Sequence, residues 1–122
     1  MTDGSYKTGA DLVAAARARI TEVSPADAVA AAGADNVVLL DVREPNEWNL
    51  GHAEGALHIP RGQLEGKVEG AIPREARVLV YCAGGSRSAL AADTLQQMGY
   101  GNVASVRGGF RGWVDAGGPV AD

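Results

Sequence analysis

Short aliphatic runs alternate along the chain with segments of helical periodicity. Val37-Val38-Leu39-Leu40 ends at Asp41, and Val78-Leu79-Val80-Tyr81 ends at Cys82. Both runs are continuous, with no polar alternation, as expected for parallel strands that have both faces covered. Further strands are predicted over 56–59 and 103–106, with an extended piece over 20–23. Over 10–20 the pattern predicts a helix with Leu12, Val13, Ala16 and Ile20 on one side and Asp11, Arg17 and Arg19 toward water. Ser24-Pro25-Ala26-Asp27 supplies a cap, a proline suited to the first helical position and a capping-box acid, so a helix follows over 25–32 until Gly33. A short helix is predicted near 45–50. A longer one over 86–98 turns Ala91, Leu95 and Met98 inward and stops at Gly99, and a last one over 110–116 follows a Gly108-Gly109 turn. The stretch 60–74 reads as turn-rich. Strands alternating with helices predict an α/β domain with a mainly parallel central sheet.

At 122 residues the chain suits one domain. Its 46% hydrophobic and 21% charged residues match a folded globular unit, with no apolar stretch near the roughly 18 to 20 residues of a membrane span. Eleven Lys and Arg against fifteen Asp and Glu leave a net charge of −4 without any basic run, which argues against a nucleic-acid partner. The single cysteine removes an intramolecular disulfide and a multi-cysteine zinc site, and suggests a reducing compartment. With no secretory pattern at the start, cytoplasmic localisation is expected.

The candidate chemistry lies where the second long aliphatic run stops. Cys82-Ala83-Gly84-Gly85-Ser86-Arg87-Ser88 joins a buried strand to a helix, the position at which open α/β sheets bind ligands. Gly84 and Gly85 let successive backbone N–H groups turn inward as a nest for an anion, aided by the positive end of the following helix. The same field favours a thiolate, which makes Cys82 a candidate nucleophile rather than a buried small hydrophobe. Ser86 and Ser88 suit either capping or substrate contact.

These residues resemble the rhodanese-like sulfurtransferases over about 20–120. The likeness is carried by Leu40-Asp41-Val42-Arg43-Glu44 with Glu47-Trp48, by Gly51-His52-Ala53-Glu54-Gly55-Ala56, and by His58-Ile59-Pro60. The Cys82 to Ser88 loop and Gly108-Gly109-Phe110-Arg111-Gly112-Trp113 complete it. Ala53-Glu54 stands where many members carry Ile-Pro. The resemblance implies a three-layer domain over 20–122, preceded by a helical N-terminal extension over 1–19. It also implies that Cys82 takes a sulfane sulfur from a small anionic donor such as thiosulfate, holds it as a persulfide, and passes it to a thiol, cyanide or protein acceptor without any cofactor. Ala83, Gly84, Gly85, Ser86, Arg87 and Ser88 would bind the substrate. Four residues separate Cys82 from Arg87, as in rhodanese loops, whereas related phosphatases carry five and enclose a larger anion.

Asp41 and Arg43, at a strand end, are expected to brace the loop through its backbone or through Arg87, since a carboxylate beside the nucleophile would oppose its ionisation. Arg61, like Lys67, is a candidate for the pocket rim. His52 and His58 lack ligand spacing and are read as structural, with no metal site. Trp48 and Trp113 are read as packing residues. A monomer or weak dimer is expected. The competing functions are a non-enzymatic sulfur-relay or interaction module, against which an intact Cys82 and Arg87 count, and a cysteine-dependent phosphatase or arsenate reductase, which the short loop disfavours.

Overall fold

The structure, a computed structural model, describes residues 6–122. The first five residues of the expected N-terminal extension lie outside the described residues. In chain order the elements are α1 (Gly9–Arg19), β1 (Thr21–Val23), α2 (Pro25–Ala31), β2 (Val37–Asp41), α3 (Pro45–Asn49), β3 (His52–Ala53) and β4 (Leu57–His58). A 3-10 turn (Arg61–Gln63), α4 (Leu64–Ala71), β5 (Arg77–Tyr81), α5 (Ser86–Gln97), β6 (Val103–Val106), α6 (Gly109–Asp115) and β7 (Val120–Ala121) follow.

The five principal strands form one parallel sheet in the order β1-β6-β5-β2-β4, with Leu39 beside Leu79 and Leu79 beside Ala104. The central strand is β5, so Cys82 emerges from the middle of the sheet at its carboxyl edge. Because successive side chains point to opposite faces, each aliphatic run fills two cores at once. Leu40, Val78 and Val80 join Leu64, Val68, Ala91 and Leu95 on one face, beneath α4 and α5. Leu39, Leu79 and Tyr81 join Ala28, Val106 and Trp113 on the other, beneath α2 and α6. Truncating one of these fully buried leucines to alanine costs about 2–5 kcal/mol, which is why neither face tolerates a polar interruption. Helix α1 packs on α5 through the fully buried Ala16. Among the described residues no helix is long and apolar enough to cross a membrane.

Three expectations are corrected. The stretch 60–74 is not merely turns: it holds the 3-10 turn and α4, whose Leu64, Val68 and Ile72 repeat every four residues into the core. The Tyr100 hydroxyl donates to the Ile72 carbonyl at 2.7 Å and so satisfies an acceptor that the end of α4 leaves open. A separate antiparallel pair, β3 with β7, was not predicted, since two-residue strands have no visible period. Leu12, expected to face inward, is 52% exposed, and α1 is held instead by Ala16.

Candidate active site

Cys82 is buried, and its sulfur sits inside the turn that carries the chain from β5 into α5. The Gly85 N–H donates to Sγ at 3.0 Å and the Ser88 N–H at 3.4 Å. The Ser88 hydroxyl lies 3.5 Å from the same sulfur. Gly85 makes this possible by adopting φ +116°, a conformation that L side chains rarely adopt, and it serves as the N-cap of α5. The expected anion nest is therefore present, with the sulfur itself seated in it. Burial alone pushes the Cys82 thiol up. Hydrogen bonds from the Ser88 hydroxyl and from the Ser88, Gly85 and Gly84 amides outweigh that effect and hold it below the ordinary thiol range.

Ser88 is fully buried, and its hydroxyl also contacts the Gly85 carbonyl at 3.2 Å and the Ser105 hydroxyl at 2.8 Å. One hydroxyl carries one proton. When Ser105 donates to the Ser88 oxygen, the Ser88 proton is left to choose between the Gly85 carbonyl and the sulfur, and a thiolate is the stronger acceptor. The Ser88 hydroxyl thus has a proton to give a thiolate at Cys82, although against the neutral thiol it donates to the Gly85 carbonyl, whereas Ser86 is exposed and makes no cap bond.

The loop is closed from below by the Gly108-Gly109 turn. The Phe110 N–H donates to the Cys82 carbonyl at 2.7 Å, and a Cβ on Gly109 would collide with the carbonyl oxygens of Cys82 and Ala83. Only a glycine lets the start of α6 approach that closely.

Several charged residues differ from expectation. Asp41 and Arg43 brace neither the loop nor Arg87; they pair with each other in burial, the Arg43 Nη2 donating to Asp41 at 2.8 Å and to the Gly51 carbonyl at 2.8 Å. Arg43 lies over the Phe110 ring at 4.4 Å and, with Ala83, Phe110, Arg111 and Val114, lines a cavity of about 330 Å³ beside the loop. Arg61 is not at that rim. Its guanidinium holds Glu65 at 3.1 Å and the Thr94 hydroxyl at 3.1 Å, tying the 3-10 turn to α5. Lys67 is exposed on α4. Arg87 is gripped by Glu47, which sequence reasoning quoted in a motif without giving it a role: Nη1 meets Oε1 at 2.7 Å and Nη2 meets Oε2 at 3.0 Å. This forked contact is the first cause of the Glu47 carboxyl falling to about 2, against the opposing effect of burial, with the Glu44 N–H and the charges of Arg87 and Arg43 adding to it.

Trp113 is buried in the core as expected, its indole N–H donating to the Pro119 carbonyl at 2.9 Å. Trp48 is stacked between two histidine rings, at 3.4 Å from His52 and 4.7 Å from His58. His52 Nδ1 lies 3.1 Å from the Trp48 carbonyl and His58 Nε2 lies 2.8 Å from the Arg43 carbonyl, so each nitrogen must carry a proton. Each ring is thus held by a backbone carbonyl and by stacking on the Trp48 indole. No group of three or more metal-ligating side chains occurs among the described residues.

A family model described as "Rhodanese-like domain" matches residues 24–116. A thiosulfate sulfurtransferase GlpE of Actinobacillus succinogenes is 38% identical over 82% of this chain and 89% of its own. The polysulfide-sulfur transferase homodimer of Wolinella succinogenes superposes with a TM-score of 0.79 at 32% identity, covering 91% of this chain and 85% of that one. A Rhodopseudomonas palustris protein of unknown function, described as a possible tyrosine phosphatase, reaches a TM-score of 0.86 at 37% identity over 99% of each chain.

Proposed function

The chain belongs to the rhodanese-like domain family and is a sulfurtransferase, and from that premise we propose that thiosulfate or a similar anionic donor loads Cys82 with a persulfide. The observation that carries this reading is the sulfur of Cys82 held by the Gly85 and Ser88 amides at 3.0 and 3.4 Å. Those donors stabilise the attacking thiolate, and they stay in place to hold the anionic persulfide that replaces it.

In the first half-reaction the Cys82 thiolate attacks the outer sulfur of thiosulfate. The sulfur–sulfur bond of the donor breaks, its electron pair leaves with sulfite, and the negative charge of the thiolate passes to the new terminal sulfur. In the second, cyanide or a thiolate, free or on a protein, attacks that terminal sulfur and the electron pair of the broken bond returns to Cys82. Both steps conserve charge and need no external redox partner. Ala83, Gly84, Gly85, Ser86, Arg87 and Ser88 frame this site. Arg87, fixed by Glu47, shapes the rim of the loop and leaves the amides as the donors to sulfur.

The alternative of phosphoryl chemistry draws on the Rhodopseudomonas neighbour. It is opposed by the four-residue interval between Cys82 and Arg87, which offers few amides for the three peripheral oxygens of a phosphate. Intact-mass spectrometry after incubation with thiosulfate is the test. One added sulfur on the wild type and none on Cys82→Ser is expected, together with negligible hydrolysis of an aryl phosphate. A wild type that stays unmodified while hydrolysing the phosphate would overturn the assignment.

A further inference from the structure

We infer that Arg17, contributed by the N-terminal helix, is the donor-binding cation of this site and selects doubly charged sulfur donors; the inference rests on the sulfurtransferase reading. A Cβ built on Gly85 would lie 3.3 Å from Arg17 Nη2, so the guanidinium rests on the residue whose amide holds the Cys82 sulfur at 3.0 Å. These contacts, joined across the covalent frame of one residue, keep Nη2 within about 9 Å of Sγ whatever the intervening angles.

Of the arginines in or beside the motifs, three are already committed, while Arg111 pairs loosely with Asp115 at 3.7 Å and lines the cavity beside Ala83 rather than meeting Gly85. Arg87 gives both Nη groups to Glu47, Arg43 is neutralised by Asp41, and Arg61 serves Glu65 and Thr94. Arg17 differs. Among the described residues its ion pair is a loose one, Nε to Glu22 at 3.7 Å, and Glu22 shares its charge with Arg107 at 3.9 Å. The Arg17 side chain is 44% exposed, so its guanidinium keeps in-plane N–H donors open to solvent and to an anion.

Its position is fixed by the helix beneath it. Ala16 is fully buried against α5, and three residues on from it Arg19 holds Asp93 through Nε at 3.0 Å and Nη2 at 2.7 Å. Two anchors on either side of Arg17 therefore register α1 over the start of α5. The helix lies outside the matched family region of 24–116, so this cation is an addition to the shared site. A guanidinium pairs two oxygens of a sulfonate in its own plane. A donor whose outer sulfur meets Sγ carries its oxygens two bonds further out, within the roughly 9 Å that bounds the distance from Sγ to Arg17 Nη2. The same contact holds the departing sulfite, whose charge equals that of thiosulfate, so binding is affected more than the chemical step.

The test compares thiosulfate, a dianion, with an aryl thiosulfonate, a monoanion, each with cyanide as acceptor. Four full-length proteins are used: wild type, Arg17→Gln, Arg17→Lys and Arg77→Gln. The last removes the same charge at the opposite end of β5. For Arg17→Gln the KM for thiosulfate should rise about tenfold and that for the thiosulfonate about threefold, with kcat within about twofold, because the interaction scales with the charge of the donor. Arg17→Lys should recover much of the loss, and Arg77→Gln should behave as wild type. Raising ionic strength from about 0.05 to about 0.5 M should raise the wild-type KM more than that of Arg17→Gln, since added salt screens the half-exposed guanidinium from the approaching donor. An Arg17→Gln KM equal to that of wild type, or a fall in kcat that is the same for both donors, would overturn the inference while leaving the sulfurtransferase reading intact. A wild type that turns over neither donor would overturn both.

Discussion

Replacing Glu47 with glutamine isolates the clamp that holds Arg87. The substitution keeps the shape and one carbonyl oxygen but removes the charge and half of the forked contact of 2.7 and 3.0 Å. It also weakens the capping box of α3, in which the Glu44 N–H donates to Glu47 Oε1 at 2.9 Å. The gap between a carboxyl at about 2 and its ordinary 4.5 corresponds to a little over 3 kcal/mol of preference for the ionised, folded form. With side-chain exposures of 28% for Glu47 and 35% for Arg87, solvent screening reduces the realised contribution to about 1–2 kcal/mol. Because the folded-state pKa is depressed, this stabilisation is fully present above about 4.5 and is lost as pH falls toward about 2. Urea unfolding at pH 7 should therefore show Glu47→Gln less stable by about 1–2 kcal/mol, and near pH 3 the difference should shrink to roughly half. Persulfide loading should also slow, as Arg87 loses its fixed orientation. A difference that is the same at both pH values, or one below about 0.3 kcal/mol at pH 7, would refute the claim that an ionised Glu47 anchors the loop.

Other substitutions test neighbouring parts of the site. Cys82→Ser should fold with a melting temperature close to wild type yet lose transfer entirely, because a hydroxyl cannot carry the sulfur; residual turnover would place the chemistry elsewhere. Ser88→Ala removes a donor 3.5 Å from the sulfur, so the pH profile of Cys82 alkylation should move upward, and an unmoved profile would discount the hydroxyl. Ser105→Ala should move the same profile less and in the same direction, through loss of the 2.8 Å contact that orients Ser88. Gly109→Ala should cost at least about 2–3 kcal/mol by thermal melting, since its Cβ meets two loop carbonyls. Gly108→Ala, whose nearest neighbour is 3.6 Å away, should cost only about 1 kcal/mol despite a similarly positive φ. Equal losses at the two positions would remove the close approach of α6 as the reason for the glycine pair.

The sheet was legible because its strands are covered on both faces and so cannot afford polar interruptions; the runs 37–40 and 78–81 needed no tertiary knowledge to be seen. Helix α4 was missed for an identifiable reason. Leu64, Val68 and Ile72 keep a helical spacing, but Gly66 and Gly70 between them read as breakers, and no side-chain cap marks the start. Both glycines have open space around them, so the helix carries their propensity cost of about 1 kcal/mol each and recovers it by burying Leu64 and Val68.

The nucleophile was legible for a different reason, since a cysteine followed by paired glycines at a strand end already states the local geometry. What surrounds it was not. The partners of the loop come from distant parts of the chain: Glu47 reaches Arg87 across 40 positions and Ser105 reaches Ser88 across 17. A one-dimensional pattern carries no information about which carboxylate meets which arginine, and assigning Asp41 to the loop was the natural error, because it too ends a strand beside β5. The error also shows what the fold accomplishes electrostatically. By pairing Asp41 with Arg43 in burial, the protein keeps a carboxylate at the carboxyl edge of the sheet without setting a free negative charge against the thiolate on the neighbouring strand. Arg87 is likewise neutralised by Glu47, so the cation carried by the loop itself is not left free to lower the thiol. The activation of Cys82 therefore falls to the amides and hydroxyl of its own loop, whose donors are fixed in place before any substrate arrives.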